Sequence, residues 1–389
     1  MDAPTRVLTA LNHEEPDRVP AFESAFTNNT IMAHYGVPVT GGLSGAARLV
    51  TYLPGKNWLA NKAMSSKNFL EKSMIDAYEF LRRVKIDIGI SIVTHQQRKL
   101  TRGGMIDEFG RIMKFEKYEK DGTIIVAYHG GSFKTFEDYE SWERPDPNEP
   151  KRLAAFEAGK AVQAQMNDEI LSVPAINGMM EASWESFGLE KFSRILARPK
   201  QAKKVFDDHG KLSLELTKIL ADNGAELILI WDDYGFKNGP FMSPQNYQTY
   251  VFPWLKQICD AAHKRGSKIL LHSDGDLMLL FDDIVKCGVD ALNPIESTTA
   301  NPEYDIFKLN EKYGDKLTFV GNISPVMLAE GSIQEIEDYS KKLLLELGPG
   351  GGYIFSSGHS INPAVTIDRW EAVMRIREKY GNYPIEVSN

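Results

Sequence analysis

The stretch KILLHSDG, at residues 268–275, decides the fold of this chain, and ALNPIES at 291–297 and YIFSSGHS at 353–360 repeat its pattern. Each stretch starts as an apolar run and ends in polar residues. Parallel strands covered on both faces read as nearly continuous apolar runs, and in a barrel the polar site residues collect at the carboxyl ends of the strands. The three stretches therefore predict parallel strands whose polar tips meet at one rim.

Five more runs of the same β type occur along the chain. They are VPAFES (19–24), IDIGISIV (86–93), LSVPAIN (171–177), ELILIWDD (226–233) and LTFVGNIS (317–324). Amphipathic helical stretches lie between them, and strands that alternate with helices favour an α/β fold with a parallel sheet. Eight such strands predict a (β/α)8 TIM barrel. A doubly wound open sheet is the structural alternative, and it is disfavoured because no G-x-G-x-x-G segment follows a strand.

We predict a single domain over residues 1–389 that carries two insertions. Residues 25–85 form an N-terminal helical segment, with the pattern SKNFLEKSMIDAYEFLRRV near its end. Residues 94–170 follow the second strand, and there RIMKFEKYE and IIVAYH alternate in hydrophobicity on either side of the turn KDGT. That pattern indicates a β-hairpin or meander, which either walls the site or decorates the surface.

The composition excludes several classes of protein. The chain has 389 residues, 42% of them apolar, and a formal net charge of −8, so it can bury a large core but offers no basic surface for nucleic acid. No apolar run reaches about 18 residues, the length that indicates a membrane span, and we expect no membrane partner and a cytoplasmic location. Cys259 and Cys287 lie outside any C-x-x-C pair and predict neither a disulfide framework nor a thiolate site.

Side chains able to bind a metal ion recur at the polar strand tips. His272 and Asp274 are two residues apart, so in an extended segment both point to the same face. Glu296 and His359 end two further strands. Imidazole and carboxylate ligands suit zinc, and three or four of them with an open position describe a catalytic site. The alternative is a buried hydrogen-bond network without metal.

Other polar and aromatic residues lie at the same predicted rim. In WDDYG, one of Asp232 and Asp233 is predicted to point inward, where it would hydrogen-bond a reacting oxygen or act as a general acid, and the other to cap the following helix. The sequence leaves open which aspartate does which. Tyr234 is predicted to donate to the same oxygen. The predicted substrate-binding residues are aromatic, neutral or acidic: Phe22, Glu23, Asn177, Trp184, Trp231 and Asn322.

Several of these segments together resemble one known family. The segments are ALNHEEPDRVP (10–20), WDDYGFKNGPFMSPQNYQTYVFPWLKQI (231–258), LLHSDGDL (270–277), NPIE (293–296), GNIS (321–324) and SSGHSINPAV (356–365). They are similar to the uroporphyrinogen decarboxylase superfamily over nearly the whole chain. The resemblance implies a (β/α)8 barrel and one of two activities: decarboxylation in the heme pathway, or zinc-dependent methyl transfer to a corrinoid protein.

The residues favour the methyltransferase branch. The decarboxylase branch implies an arginine-rich motif after the first strand, where this chain has AFESAFTNNTIMAHYG (21–36). The methyltransferase branch implies H-x-C, Glu and Cys zinc ligands, and the corresponding residues here are His272, Asp274, Glu296 and His359. Both thiolates are absent, and the harder ligands suit an oxygen-bound substrate.

We therefore expect a zinc-dependent methyltransferase. The methyl group would pass from a small O-methyl substrate, such as an aryl methyl ether, to the cob(I)alamin of a separate corrinoid protein. That cobalamin must arrive on a partner, because the chain has no recognisable cobalamin module. The alternative is a lyase or decarboxylase like the heme-pathway enzyme that works without metal. A homodimer remains open.

Overall fold

The computed structural model describes residues 1–37, 48–64, 66–93 and 97–385. The strands within these ranges are β1 (Ile88–Ile92), β2 (Gln97–Thr101), β3 (Gly104–Asp107), β4 (Arg111–Lys117), β5 (Ile124–Gly131), β6 (Leu171–Asn177), β7 (Leu227–Trp231), β8 (Gly235–Phe236), β9 (Gly239–Pro240), β10 (Lys268–His272), β11 (Ala291–Asn293), β12 (Thr318–Ile323) and β13 (Tyr353–Ser357).

The α-helices of the described ranges lie mainly between the strands. They are α1 (Ala3–Leu11), α2 (Asn29–His34), α3 (Lys56–Met64), α4 (Lys67–Arg83), α5 (Phe136–Ser141), α6 (Ala154–Gln165), α7 (Met179–Phe187), α8 (Leu189–Leu196), α9 (Pro199–Asp222), α10 (Pro244–Tyr250), α11 (Phe252–His263), α12 (Phe281–Cys287), α13 (Ile306–Tyr313), α14 (Pro325–Glu330), α15 (Ile333–Leu347) and α16 (Ile367–Tyr380). In the part of the chain that the structure describes, no helix is long and apolar enough to cross a bilayer.

The central sheet confirms the predicted fold class. It has seven strands in the order β1-β6-β7-β10-β11-β12-β13, and every neighbouring pair is parallel. Sequential parallel strands with helices between them form the curled sheet of a TIM-like barrel. In the register of this sheet His272 lies opposite Trp231 of β7 on one side and opposite Asn293 of β11 on the other.

The first predicted strand, residues 19–24, lies between the two edges of the sheet but does not form a regular strand. It forms a single parallel bridge between Ala21 and Phe355 of β13. The Phe355 N–H donates to the Pro20 carbonyl at 2.8 Å, and on the other side the Asp87 N–H donates to the Ala21 carbonyl at 2.9 Å. Pro20 has no N–H to give to a ladder, so the segment bridges the two edges of the sheet without becoming a regular strand.

A buried ion-pair network holds this closing segment in place. The fully buried Asp87 carboxylate accepts hydrogen bonds from Arg6 at 2.8 Å, from both terminal nitrogens of Arg18 at 2.7 and 2.9 Å, and from the Ala21 N–H at 2.8 Å. Arg6 also pairs with Asp17. Helix α1 and the segment after it are thereby joined to the start of β1.

The side chains of the strands alternate between two cores. Leu229, Leu270 and Val320 point inward and pack with Val7 and Leu11 of α1, which fill the barrel. Neighbours such as Ile228 and Leu271 belong to the larger core between the sheet and the helices. This period of two is the normal alternation of a strand, and it places the side chain of His272 on the inward side.

The insertion after β1 is a four-stranded antiparallel sheet in the order β2-β3-β4-β5. The predicted hairpin between RIMKFEKYE and IIVAYH is confirmed as β4 and β5, which pair from Lys117–Ile124 to Arg111–Gly131. This sheet docks on α7, because the Phe133 N–H donates to the Ser186 carbonyl at 3.1 Å. The single-domain interpretation of residues 1–389 stays a prediction.

Candidate metal centre

Three of the polar rim residues form a compact group of possible metal ligands. They are Asp233, His272 and Asp274, and one ligand atom from each lies within 4.8 Å of the others. His272 ends β10, Asp274 follows it by two residues, and Asp233 follows the end of the neighbouring strand β7. Separations of this size leave space between the three atoms for a bound cation. The chain's own geometry therefore brings together two of the four predicted ligands and adds Asp233.

A hydrogen bond from Nδ1 to Asn293 fixes the orientation of the His272 ring. Its Nδ1 lies 2.6 Å from Oδ1 of the buried Asn293, and the Asn293 amide donates to the Val320 carbonyl at 3.0 Å. Since the amide nitrogen is already a donor, the Asn293 oxygen accepts, and the His272 proton resides on Nδ1. The lone pair is then on Nε2, which lies 4.0 Å from Oδ1 of Asp274. An outer hydrogen bond of this kind is typical of metal-binding histidines.

One carboxylate oxygen of Asp274 lacks a hydrogen-bond partner among the described residues. This oxygen, Oδ1, is buried. Burial raises the pKa of Asp274 to about 6, with Asp233 and Glu296 acting in the same direction and His272 and His359 opposing them. A buried carboxylate oxygen without a partner is costly, and a bound cation would satisfy it. The donor set of one imidazole and two carboxylates also suits zinc.

The other two predicted ligands lie at the edge of this group. His359 is about half exposed, and its Nε2 lies 3.7 Å from Oδ2 of Asp274. The Glu296 carboxylate instead accepts the Gly275 N–H at 2.8 Å and the Thr298 hydroxyl. These bonds hold the turn after Asp274, which needs glycine because Gly275 has a φ of +95° and no room for a side chain.

The structure separates the two aspartates of WDDYG. Asp232 is fully buried and accepts the N–H groups of Met179 at 2.9 Å and Glu181 at 2.8 Å. It thus caps α7, the helix that follows the neighbouring strand β6, and not the helix that follows Asp232 in sequence. Burial raises its pKa to about 7 against these hydrogen bonds. A side chain at Gly178 would collide with this cap, since a Cβ there would lie 2.2 Å from Asp232.

The backbone of Tyr234 lies beside the metal group, but its side chain belongs to the core between the sheet and the helices. Its ring is fully buried in the core between sheet and helices, 5.4 Å from the ring of Tyr247 and 6.2 Å from that of Phe252. The Ser273 hydroxyl accepts its N–H at 2.9 Å. Strand β7 ends at Trp231, so the alternation of a strand no longer governs the side chain three residues later.

The insertion sheet supplies a residue that the sequence reading missed. Arg111 begins β4 and has a buried side chain, whose Nε donates to Asp107 at 2.6 Å. Its terminal nitrogens reach α7 and the tip of β6: they lie 3.1 Å from Glu185, 3.6 Å from Glu181 and 3.5 Å from Oδ1 of Asn177. The insertion therefore forms part of the barrel mouth.

The predicted substrate-binding residues lie at several places around the barrel. Trp184 and Asn177 lie beside the Arg111 cluster, and Trp184 stacks on Phe241 with ring centroids 5.6 Å apart. Trp231 ends β7 beside His272. Phe22 is buried in the barrel interior.

Glu23 and Asn322 are tied to neighbouring elements. Glu23 accepts both the N–H and the hydroxyl of Ser357, and its burial raises its pKa to about 8. Asn322 accepts the Tyr339 hydroxyl at 2.8 Å and lines a groove of about 710 Å³ between the loop after β11 and helices α14 and α15.

A curled parallel sheet with an imidazole and carboxylates at its C-terminal rim defines the class of protein as a TIM-barrel enzyme. The family follows from the sequence. The model of the family Uroporphyrinogen decarboxylase (URO-D) matches residues 117–380, and the chain belongs to this family.

The relatives found by comparison are distant. The chain is 26% identical to the uroporphyrinogen decarboxylase of Chloroherpeton thalassium over 197 residues, which span 49% of this chain and about half (52%) of that protein. It is 26% identical to the enzyme of the same name from Pseudomonas fluorescens over 289 residues, 69% of this chain and 76% of that protein. A methyltransferase from Methanosarcina mazei has a similar structure, with a TM-score of 0.67 and 18% identity over 98% of this chain and 99% of that one. This last similarity concerns the fold.

Proposed function

We propose that this protein is a zinc-dependent methyltransferase that moves a methyl group from a small O-methyl substrate, such as an aryl methyl ether, to the cob(I)alamin of a partner corrinoid protein. The observation that carries the proposal is the compact nitrogen and oxygen donor group of Asp233, His272 and Asp274, with its unpartnered buried oxygen. Such a group is an expected zinc site of the catalytic kind.

Asp233, His272 and Asp274 would hold the zinc ion, with His359 at the open edge. When bound, zinc supplies Lewis-acid polarisation of the ether oxygen, which stabilises the phenolate or alkoxide that leaves. Glu296 would not bind zinc directly. Its carboxylate accepts the Gly275 N–H and so fixes the turn that carries Asp274.

Other residues orient the metal ligand His272 or would contact the substrate. Asn293 keeps the proton of His272 on Nδ1, so that Nε2 stays free. Trp184, stacked on Phe241, offers an aromatic wall to an aryl ring. Methyl transfer to cobalt is an in-line displacement and requires the two reactants to approach along one axis, so the corrinoid partner would dock at the same open rim.

The proposal is tested by two measurements on the full chain. The purified protein is expected to contain about one zinc per chain and His272→Ala to contain much less, while His263→Ala, which removes a surface histidine paired with Asp290, leaves the metal content unchanged. When the protein is mixed with free cob(I)alamin and anisole or a methoxyphenol, methylcobalamin is expected to form. Its formation is measured by absorbance. Absence of stoichiometric zinc, or of methylcobalamin with every ether tried, contradicts the proposal.

The decarboxylase alternative is supported by the names of the curated relatives. A tetrapyrrole with many carboxylates needs cationic partners for them. At this mouth, however, the guanidinium of Arg111 is already paired with Asp107 and Glu185, and Asp233 and Asp274 add negative charge. Release of carbon dioxide from uroporphyrinogen by protein freed of metal would favour this alternative.

A further inference from the structure

Glu181 differs from the other carboxylates around Arg111. Asp107 accepts the Arg111 Nε and two backbone N–H groups, and Glu185 accepts a hydrogen bond at 3.1 Å. Glu181 has only the longer contact of 3.6 Å to Arg111, and 22% of its side chain is exposed. Among the described residues no hydrogen bond to its carboxylate oxygens is found, so these oxygens can still accept one from a ligand.

The position of Glu181 is set by the residues beside the metal group. Its backbone N–H is held by Asp232, the immediate neighbour of Asp233. Trp184 lies three residues further along α7, and residues at this spacing share a face of the helix. Glu181 therefore shares a face of α7 with Trp184, and its backbone is hydrogen-bonded to the residue that precedes Asp233.

The charge of this region limits what it can bind. Glu181, Asp233 and Asp274 are acidic, and the guanidinium of Arg111 is shared by Asp107, Glu185 and Glu181. Burial and the carboxyls of Glu185 and Asp233 raise the pKa of Glu181, and a carboxyl keeps an acceptor oxygen in either protonation state. A ligand with a carboxylate would be repelled, whereas an O–H or N–H group would find an acceptor.

We propose that Glu181 is a specificity-determining residue that accepts a hydrogen bond from an O–H or N–H group of an uncharged methyl donor and disfavours carboxylated donors. Arg111 of the insertion sheet is the positioning residue that holds it. The inference rests on the proposed function for the identity of the site, and it adds the substrate class and the role of the insertion.

The first test measures binding without turnover. The zinc-loaded protein is titrated by calorimetry with a methoxyphenol, anisole and a methoxybenzoate. The parent is expected to bind the methoxyphenol most tightly and the methoxybenzoate most weakly. Glu181→Gln, which keeps the shape of the side chain, is expected to reduce the preference for methoxyphenol over methoxybenzoate roughly tenfold, the size of one hydrogen bond, because the glutamine amide can donate to a ligand carboxylate.

The matched control is Glu190→Gln, because Glu190 is an exposed glutamate of the next helix, paired with Arg194 at 2.7 Å. It should leave the preference unchanged, and both variants should keep the parent's zinc content and melting temperature. The inference is overturned if the parent does not bind the methoxyphenol, if Glu181→Gln keeps the parent's preference, or if Glu181→Gln loses zinc in proportion to binding.

The second test concerns Arg111. Arg111→Met is expected to reduce the same preference, and Arg111→Lys to restore part of it, because lysine keeps the charge but not the fork of donors. Equal binding preferences in the two variants and the parent overturn the positioning role. If binding follows these expectations while no ether yields methylcobalamin, the proposed function fails and the role of Glu181 stands.

Discussion

Two aspartates, the buried Asp87 and the partly buried Asp274, differ in how fully their carboxylate oxygens are paired. Asp87 accepts hydrogen bonds from Arg6, Arg18 and the Ala21 N–H, and both of its oxygens are used. Asp274 has a buried Oδ1 without a partner among the described residues. Buried polar atoms are nearly always paired in folded proteins, so the first arrangement stabilises the chain and the second indicates a site for a ligand.

The largest expected effect is on stability, at Asp87. Asp87→Ala leaves the guanidinium of Arg18 without its carboxylate and Arg6 with Asp17 alone, and loss of one member of a buried ion pair costs about 3–5 kcal/mol. Urea unfolding should show this loss in the free energy of unfolding, with zinc per folded chain unchanged. Equal stability of variant and parent would mean that the closing segment is held by packing alone.

The next effect is on activity, at Asp274. Asp274→Asn removes a charged zinc ligand, and we expect methyl transfer to fall by at least about 100-fold, the upper range seen for residues that only support a ligand. The variant should be no less stable than the metal-free parent, because the amide carries no buried charge. Metal analysis and thermal unfolding of both proteins check this. A destabilised Asp274→Asn variant would mean that Asp274, like Asp87, stabilises the fold.

A smaller effect is expected at Asn293, which acts through His272. Asn293→Ala removes the acceptor of the Nδ1 proton, and such outer hydrogen bonds change metal affinity by about 10- to 100-fold. Zinc affinity is measured by competition with a chelator. Asn223→Ala, at the exposed end of α9, is the matched control, and a normal zinc affinity in Asn293→Ala would remove Asn293 from the site.

The smallest effect concerns a third buried carboxyl, Glu23, which has hydrogen bonds from Ser357 but no direct cation contact. Its pKa is raised from 4.5 to about 8 by burial, so between these two pH values the folded protein holds a proton that the unfolded chain has lost. Stability therefore falls as pH rises through this window, by at most about 1.4 kcal/mol per pH unit. Glu23→Gln should lack this part of the decline in melting temperature. An identical pH profile would show that Glu23 is ionised in the folded protein.

The barrel and part of its site were predictable because they depend on local patterns. Apolar runs with polar ends predicted the parallel strands, and the period of two predicted that His272 and Asp274 share a face. Asp232 and Asp233 were not separable from sequence, because β7 ends at Trp231 and the cap made by Asp232 belongs to a helix about fifty residues upstream. The first predicted strand is reduced to one bridge because Pro20 has no N–H to donate to a ladder.

Residues that meet only through long-range packing could not be found in this way. Arg111 lies in an insertion whose sequence pattern fits both a wall of the site and a surface decoration, and Glu181 is one acidic residue in the first turn of a helix. Their contact depends on the docking of the insertion sheet on α7. His95, which follows the second predicted strand in the sequence, lies outside the described residues.

The single bridge between Ala21 and Phe355 has a consequence for biosynthesis. The chain leaves the ribosome from its amino end, so the closing segment exists long before β13, its partner across the seam. Until β13 emerges, the nascent sheet has an open edge, and unpaired strand edges invite association with other chains. Completion of the ring must therefore await translation of β13, and nascent chains stalled before β13 should be the species that chaperones retain.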